Sequence, residues 1–315
     1  MYAIGMDLGG TNIKTAVVHR DKGIIEKFSN PTEASKGKDH VLDSMAEAIN
    51  NAKQLSPEEP VGVGIGTPGM ISMDRTIVQN PPNLPGWEIV NVSKEMKKRT
   101  GLDSRVENDA NLAALGSSRF GIGQKYDSFI MLTLGTGVGG GIIFNKKLFR
   151  GTTGAASELG HVIIDYGGPL SNSVAQGGIE AYLGQRFLSR YAADLILQNT
   201  KNVLYKKFKD NFDELEPVHL YEEAQSDNAL AIRILRTAGE KLGFAIANYV
   251  YVMDIRKIVM SGGVAKAGDY ILKPAEETAI SRLMATFHDG FEIIYESLGN
   301  DAAMLGAAAL AFEEI

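Results

Sequence analysis

The chain has 315 residues, with 32 Lys and Arg against 38 Asp and Glu. The resulting net charge of −6 gives no overall basic field to favour a nucleic-acid backbone. Cysteine is absent, which excludes disulfides, thiolate catalysis and every cysteine-built metal site. Residues 2–6 read as a short apolar strand, 7–11 as a glycine turn and 13–19 as a second strand, together a hairpin. Apolar residues at 41, 42, 45, 49 and 52 give residues 41–55 a helical period. Residues 61–66 form a strand entering Thr67-Pro68-Gly69, and the prolines of 80–87 mark a loop. A short strand at 105–107 meets an alanine- and leucine-rich helix at 109–118. The pattern then restarts with a strand at 129–134, a glycine turn at 135–141 and a strand at 142–144, the mark of an internal duplication. Helices follow at 185–198 and 228–253, the latter apolar on most faces and so expected to be buried. The lysine-rich stretch 201–210 reads as a solvated helical face. A strand at 257–260 enters Ser261-Gly262-Gly263-Val264, and an alanine-rich helix closes the chain at 301–312.

Strands alternating with helices predict an α/β fold, with a domain boundary near residues 117–125. No basic segment leads into an apolar run at the N-terminus, and the charge-free run 128–145 is too rich in glycine for a good membrane span. The expectation is a soluble, cytoplasmic protein without a membrane partner.

Three glycine turns follow strand ends. In Asp7-Leu8-Gly9-Gly10-Thr11 the missing side chains let backbone N–H groups converge on phosphate oxygens. Thr11 adds a hydroxyl donor, Lys14 a charge and Asp7 a carboxylate suited to Mg²⁺. Equally, Asp7 can cap its own turn and Lys14 can simply be exposed. Gly135-Thr136-Gly137 and the glycines that follow are costly in a strand unless their amides carry a ligand. Gly262 and Gly263 offer bare backbone on which a flat ring can lie. Neither of the first two turns is a P-loop or a dinucleotide fingerprint. Asn108-Asp109 sits where a strand ends and a helix begins, so Asp109 serves either as a general base or as the helix N-cap. Glu158, His161 and Glu180 are polar residues in a glycine-rich stretch, and such groups suit sugar hydroxyls.

The segments Asp7-Leu8-Gly9-Gly10-Thr11-Asn12-Ile13-Lys14, Gly66-Thr67-Pro68-Gly69, Glu107-Asn108-Asp109-Ala110-Asn111 and the glycines of 134–141 together resemble the ROK family (repressors, open reading frames and sugar kinases). Glu158-Leu159-Gly160-His161 and Gly177-Gly178-Ile179-Glu180 are similar to its sugar-site motif, and Ser261-Gly262-Gly263-Val264 follows in the same order. The resemblance implies an actin-like, ribonuclease-H-like fold of two domains flanking a cleft. One domain would comprise residues 1–118 with 300–315, the other 119–299. It implies ATP with Mg²⁺ as cofactors and a hexose as substrate. Asp7 would hold the Mg²⁺, directly or through water, and Gly9, Gly10, Thr11, Lys14, Thr136, Gly137, Gly262 and Gly263 the nucleotide. Asp109 would be the catalytic base, Asn108, Glu158 and Glu180 would bind sugar hydroxyls, and His161 would contact the ring near its anomeric end. Asn83 resembles a family loop residue near the substrate, and Trp87 beside it is either packed or facing sugar.

Zinc-bearing members of the family have a histidine followed by three cysteines; here Ser171, Ser173 and Gly178 follow His161 at those positions, so no structural zinc is expected. Asp165 with His161 would supply only two ligands. The activity so implied is transfer of the γ-phosphoryl of ATP to the 6-hydroxyl of a hexose. Glucose is the default acceptor; N-acetylmannosamine, N-acetylglucosamine, fructose, mannose and allose are alternatives. A homodimer is implied by the same resemblance. Two other classes compete, a repressor and a sugar-sensing protein without turnover. The lack of a leading DNA-binding segment and the acidic balance oppose the first, and the intact Asp109 opposes the second.

Overall fold

The computed structural model describes residues 1–172 and 176–315. Its first elements are β1 (Tyr2–Leu8), β2 (Asn12–His19) and β3 (Gly23–Pro31), an antiparallel meander in which Asp7 faces Lys14 across the first pair. Helix α1 (Lys38–Leu55) buries Val41, Leu42, Met45, Ile49 and Ala52, the positions of its apolar period. It delivers the chain to β4 (Val63–Thr67), parallel to β1, because a parallel return requires such a crossover. Three strands too short to stand out in the sequence, β5 (Met70–Ile71), β6 (Ile77–Gln79) and β7 (Ile89–Asn91), form a small antiparallel sheet. Helix α2 (Val92–Thr100), capped by the Asn91 side chain, leads to β8 (Ser104–Asn108), parallel to β4, and from it α3 (Asp109–Phe120) begins without a loop.

The restart is β9 (Phe129–Leu134), β10 (Val138–Phe144) and β11 (Lys147–Leu148). Five helices follow: α4 (Glu180–Leu183), α5 (Gln185–Leu197), α6 (Val203–Phe208), α7 (Pro217–Gln225) and α8 (Ala229–Met253). Then come β12 (Lys257–Ser261), α9 (Asp269–Arg282), β13 (Glu292–Tyr295) and α10 (Ala302–Glu314). The first sheet has the order β3-β2-β1-β4-β8 and the second β11-β10-β9-β12-β13, with β12 parallel to both β9 and β13. The two orders match strand for strand, so the duplication expected from two strand–glycine–strand units is present in the topology. The lysines of α6 are exposed while Leu204 and Phe208 are buried, as a solvated face requires.

The chain divides into two compact units, residues 1–128, 141–157 and 296–315 in the first, 129–140 and 158–295 in the second. Residues 119–128, 141–157 and 296–299 thus fall in the first unit, where the sequence reading grouped them with the C-terminal half. Side chains explain the difference: Arg119 donates to the Lys146 carbonyl at 2.9 Å, and Arg150 pairs with Glu107. The glycine turn expected over 135–141 is also shorter than that, since β10 begins at Val138. A Cβ on Gly141 would fall 2.7 Å from the Ala114 Cβ of α3, so this glycine serves close strand–helix packing and not a loop.

Helix α10 packs on β1, β4 and α3. Its backbone reaches the first sheet because Gly5 and Gly64 lack side chains; a Cβ on Gly64 would collide with the Ala307 backbone. Gly64→Ala is therefore expected to cost about 1–3 kcal/mol through displacement of α10. Urea unfolding checks it, as a lowered midpoint with an unchanged slope. Among the described residues, no helix is long and apolar enough to cross a membrane.

Candidate active site

In the first unit the candidate residues gather at the C-terminal ends of parallel strands, the usual ligand position of α/β sheets. Asp7 of β1 lies opposite Gly66 of β4, and Thr67 opposite Asn108 of β8. Lys14 is neither exposed nor aimed at solvent alone: its Nζ donates to Asp7 Oδ2 at 3.3 Å, both side chains being partly buried. The Gly9–Thr11 turn is closed by the Gly9 N–H on the Asn12 carbonyl at 3.0 Å. Buried Thr32 pins it from the side, its hydroxyl donating to the Gly9 carbonyl (2.6 Å) and its N–H to that of Thr11 (2.8 Å). Exposed Asn83, with φ +67, lies over this turn; a Cβ on Gly10 would come within 2.9 Å of the Asn83 Cβ. Trp87 is buried among Leu84, Val90 and their neighbours, which settles its role as packing.

The junction of β8 and α3 separates two roles that the sequence left merged. Asn108, not Asp109, is the N-cap: its Oδ1 accepts from the Ala110 N–H (2.9 Å) and the Asn111 N–H (3.2 Å). Asp109, half-buried in the first turn, shares the Ala110 N–H through Oδ1 at 2.9 Å. Behind them Glu107 is wholly buried. Its Oε1 accepts from the Asn108 N–H at 3.0 Å and from Asn111 Nδ2 at 3.2 Å. Its Oε2 faces two guanidinium groups, Arg75 Nε at 3.2 Å and Arg150 Nε at 2.6 Å. The Arg150 contact is an ion pair without an aligned N–H, for that Nε has no hydrogen-bond partner in the structure. Arg150 instead donates through its other nitrogens to the Ser72 (2.9 Å) and Met73 (2.8 Å) carbonyls, and Arg75 also pairs with Glu314. Sequence reasoning missed this cluster, whose members carry no local pattern.

In the second unit, Gly262 (φ +96) sits so close to the Leu134 carbonyl that only a glycine fits, placing the 262–263 turn beside the end of β9. Thr136 is exposed in the short turn that remains at 135–137. Glu180 stands over Gly137, and its Oε2 accepts from the Val138 N–H at 3.1 Å. Glu158 and His161 share one helical turn, with His161 Nε2 3.6 Å from Glu158 Oε2 and both side chains accessible. The turn is fixed from below by the Tyr249 hydroxyl, which donates to the Leu159 carbonyl at 2.6 Å. Asp165 has partners of its own. It accepts from the Tyr182 hydroxyl (3.0 Å) and the Gly167 N–H (3.2 Å), and these bonds hold its carboxyl below the usual range. Burial and the same carboxylate push the Tyr182 phenol up to about 12. Among the described residues, no group of three His, Asp or Glu could hold a metal ion. Ser171 and Gly178 are described, whereas Ser173 lies outside the described residues.

Two sheets of matching order, with glycine turns and carboxylates at their strand ends, define the actin-like class of ATPase and sugar-kinase folds. The chain belongs to the ROK family, whose family model matches residues 3–314. It is 33% identical to the glucokinase of Thermotoga maritima over 312 residues, 99% of this chain and 98% of that protein. A ROK family glucokinase from Streptomyces griseus, crystallised with glucose and AMPPNP, matches its fold with a TM-score of 0.84 at 32% identity, covering 99% of this chain and 100% of that one. The xylose repressor of Bacillus subtilis is 25% identical over 99% of this chain and 77% of its own length.

Proposed function

We propose that this chain is a glucokinase, transferring the γ-phosphoryl of ATP to the 6-hydroxyl of glucose. The observation that carries the reading is Asp109 in the first turn of α3, where Asn108 supplies the N-cap and the buried Glu107 carboxylate holds the neighbouring Asn108 N–H and Asn111 amide. The full-length matches to the T. maritima and S. griseus glucokinases support the same reading. Asp109 accepts the proton of the attacking hydroxyl; because an ordinary aspartate is a weak base, positioning supplies much of its effect. Asn108, Glu158 and Glu180 bind sugar hydroxyls, His161 contacts the ring near its anomeric end, and Asn83 borders the substrate. The amides of Gly9, Gly10, Gly137, Gly262 and Gly263, with Thr11, Thr136 and Lys14, hold the nucleotide.

A Mg²⁺ ion carried by nucleotide phosphates needs only one or two protein carboxylates, and Asp7 beside the Gly9–Thr11 turn fits that demand, directly or through water. When bound, it would neutralise charge on the β- and γ-phosphates. A cytoplasmic homodimer belongs to the same proposal and is read from sedimentation. The test of substrate is a coupled assay across glucose, mannose, fructose, N-acetylglucosamine and N-acetylmannosamine with ATP and Mg²⁺. Glucose is expected to give the highest kcat/KM; a higher value for an N-acetylated sugar would reassign the acceptor.

A further inference from the structure

His161 and Glu180 stand at the two ends of a segment that leaves and returns through one neck. The Ile179 N–H donates to the Val162 carbonyl at 3.1 Å and the Ile164 N–H to that of Gly177 at 3.0 Å, while Ile163 and Gly178 pair as an antiparallel bridge. Just beyond this neck three side chains from separate parts of the second unit meet. Tyr182, two residues after Glu180 on α4, donates its hydroxyl to Asp165 Oδ2 at 3.0 Å. Asp165 stands four residues after His161. Lys241 of α8 lies 3.7 Å from that same oxygen and 4.7 Å from the Tyr182 ring centre, over its face. The backbone closes on the group as well, since a Cβ on Gly168 would strike the Tyr182 hydroxyl and one on Gly177 the Asp165 carbonyl.

We propose that Asp165, Tyr182 and Lys241 form a clasp that positions His161 and Glu180 for hexose binding. The inference rests on the glucokinase reading for the sugar roles of those two residues. The three clasp residues are positioning residues. Their bonds tie the two arms of the neck together one short step beyond the ligands, so the free protein already holds the arrangement that the sugar meets. With the clasp broken, binding must also order the neck, and affinity falls by the fraction of molecules in which it is closed. Asp109, in the first unit, keeps its bond from the Ala110 N–H, so the rate of transfer from bound sugar is untouched.

Tyr182→Phe removes one hydroxyl and leaves the ring under Lys241. Calorimetric glucose binding and steady-state kinetics on the full chain are expected to show glucose Kd and KM raised about 3- to 10-fold, the range of one lost hydrogen bond, with kcat and ATP KM within about twofold. Asp165→Ala should give the same pattern, and the double variant should be no weaker than Asp165→Ala alone, because that change already removes the Tyr182–Asp165 bond together with the Gly167 and Lys241 contacts. An unchanged glucose Kd in both variants overturns the clasp even if their Tm falls, as does a rise of ATP KM in step with glucose KM. If the wild-type protein binds glucose but transfers no phosphoryl group, the kinase reading fails while the Kd ratio still decides the clasp. A wild-type protein that binds no glucose overturns both.

Discussion

Asp109→Asn is expected to keep the fold and most sugar affinity while losing about 10²- to 10⁴-fold in kcat, or about 3–5.5 kcal/mol at the barrier. The amide is nearly isosteric, and its oxygen can still accept the Ala110 N–H that Asp109 Oδ1 accepts now. The helix cap does not depend on it, because Asn108 supplies that bond. What the amide cannot do is take the hydroxyl proton as the oxygen becomes a nucleophile, so the loss belongs in kcat and not in KM. Circular dichroism and direct glucose binding establish that fold and site persist. A variant retaining more than about a tenth of wild-type kcat, with chemistry rate-limiting, would remove Asp109 from the role of base.

Glu107→Ala is expected to destabilise the first unit by about 3–5 kcal/mol, because it leaves the buried Arg150 guanidinium facing no carboxylate and takes from Arg75 one of its two. For a unit of this size the fall in Tm is about 6–20 °C. The Asn108 N–H and the Asn111 amide lose their acceptor in the same step, so residual folded enzyme should also show a lowered kcat. Arg150→Met tests the pairing from the other side. Combined with Glu107→Met it should cost less than the two single changes added, since replacing both partners of a buried pair avoids the unpaired charge. Strictly additive losses in thermal denaturation would show that Arg150 and Glu107 are not coupled.

The sequence made legible those parts of the molecule whose signals are local. The hairpin of β1 and β2 and the apolar period of α1 are written in neighbouring residues, and so are the strand-to-helix step at Asn108 and the restart at Phe129. Glycine misled where its cause was distant. Gly139-Gly140-Gly141 reads as loop by backbone entropy, yet Gly140 and Gly141 are strand residues made necessary by Leu159 and by Ala110 and Ala114. Three-dimensional partners were invisible for the same reason. Arg75, Glu107 and Arg150 come from three separate segments, and nothing beside any of them in the chain announces a buried ion cluster. Nor does the sequence around Asp165 announce Tyr182 and Lys241, farther along the chain, which engage its carboxylate. The strands of β5, β6 and β7 are two or three residues long and leave no period to read.

Phosphorus NMR of the protein with ATP, Mg²⁺ and glucose tests the central claim most directly, because it reports what is transferred and to which oxygen. The expected result is ADP and one new phosphomonoester in equal amounts, its resonance coupled to the two methylene protons at C6, with no turnover when glucose is left out. Inorganic phosphate as the only new product, or a phosphoester coupled to a single ring proton, would contradict the account.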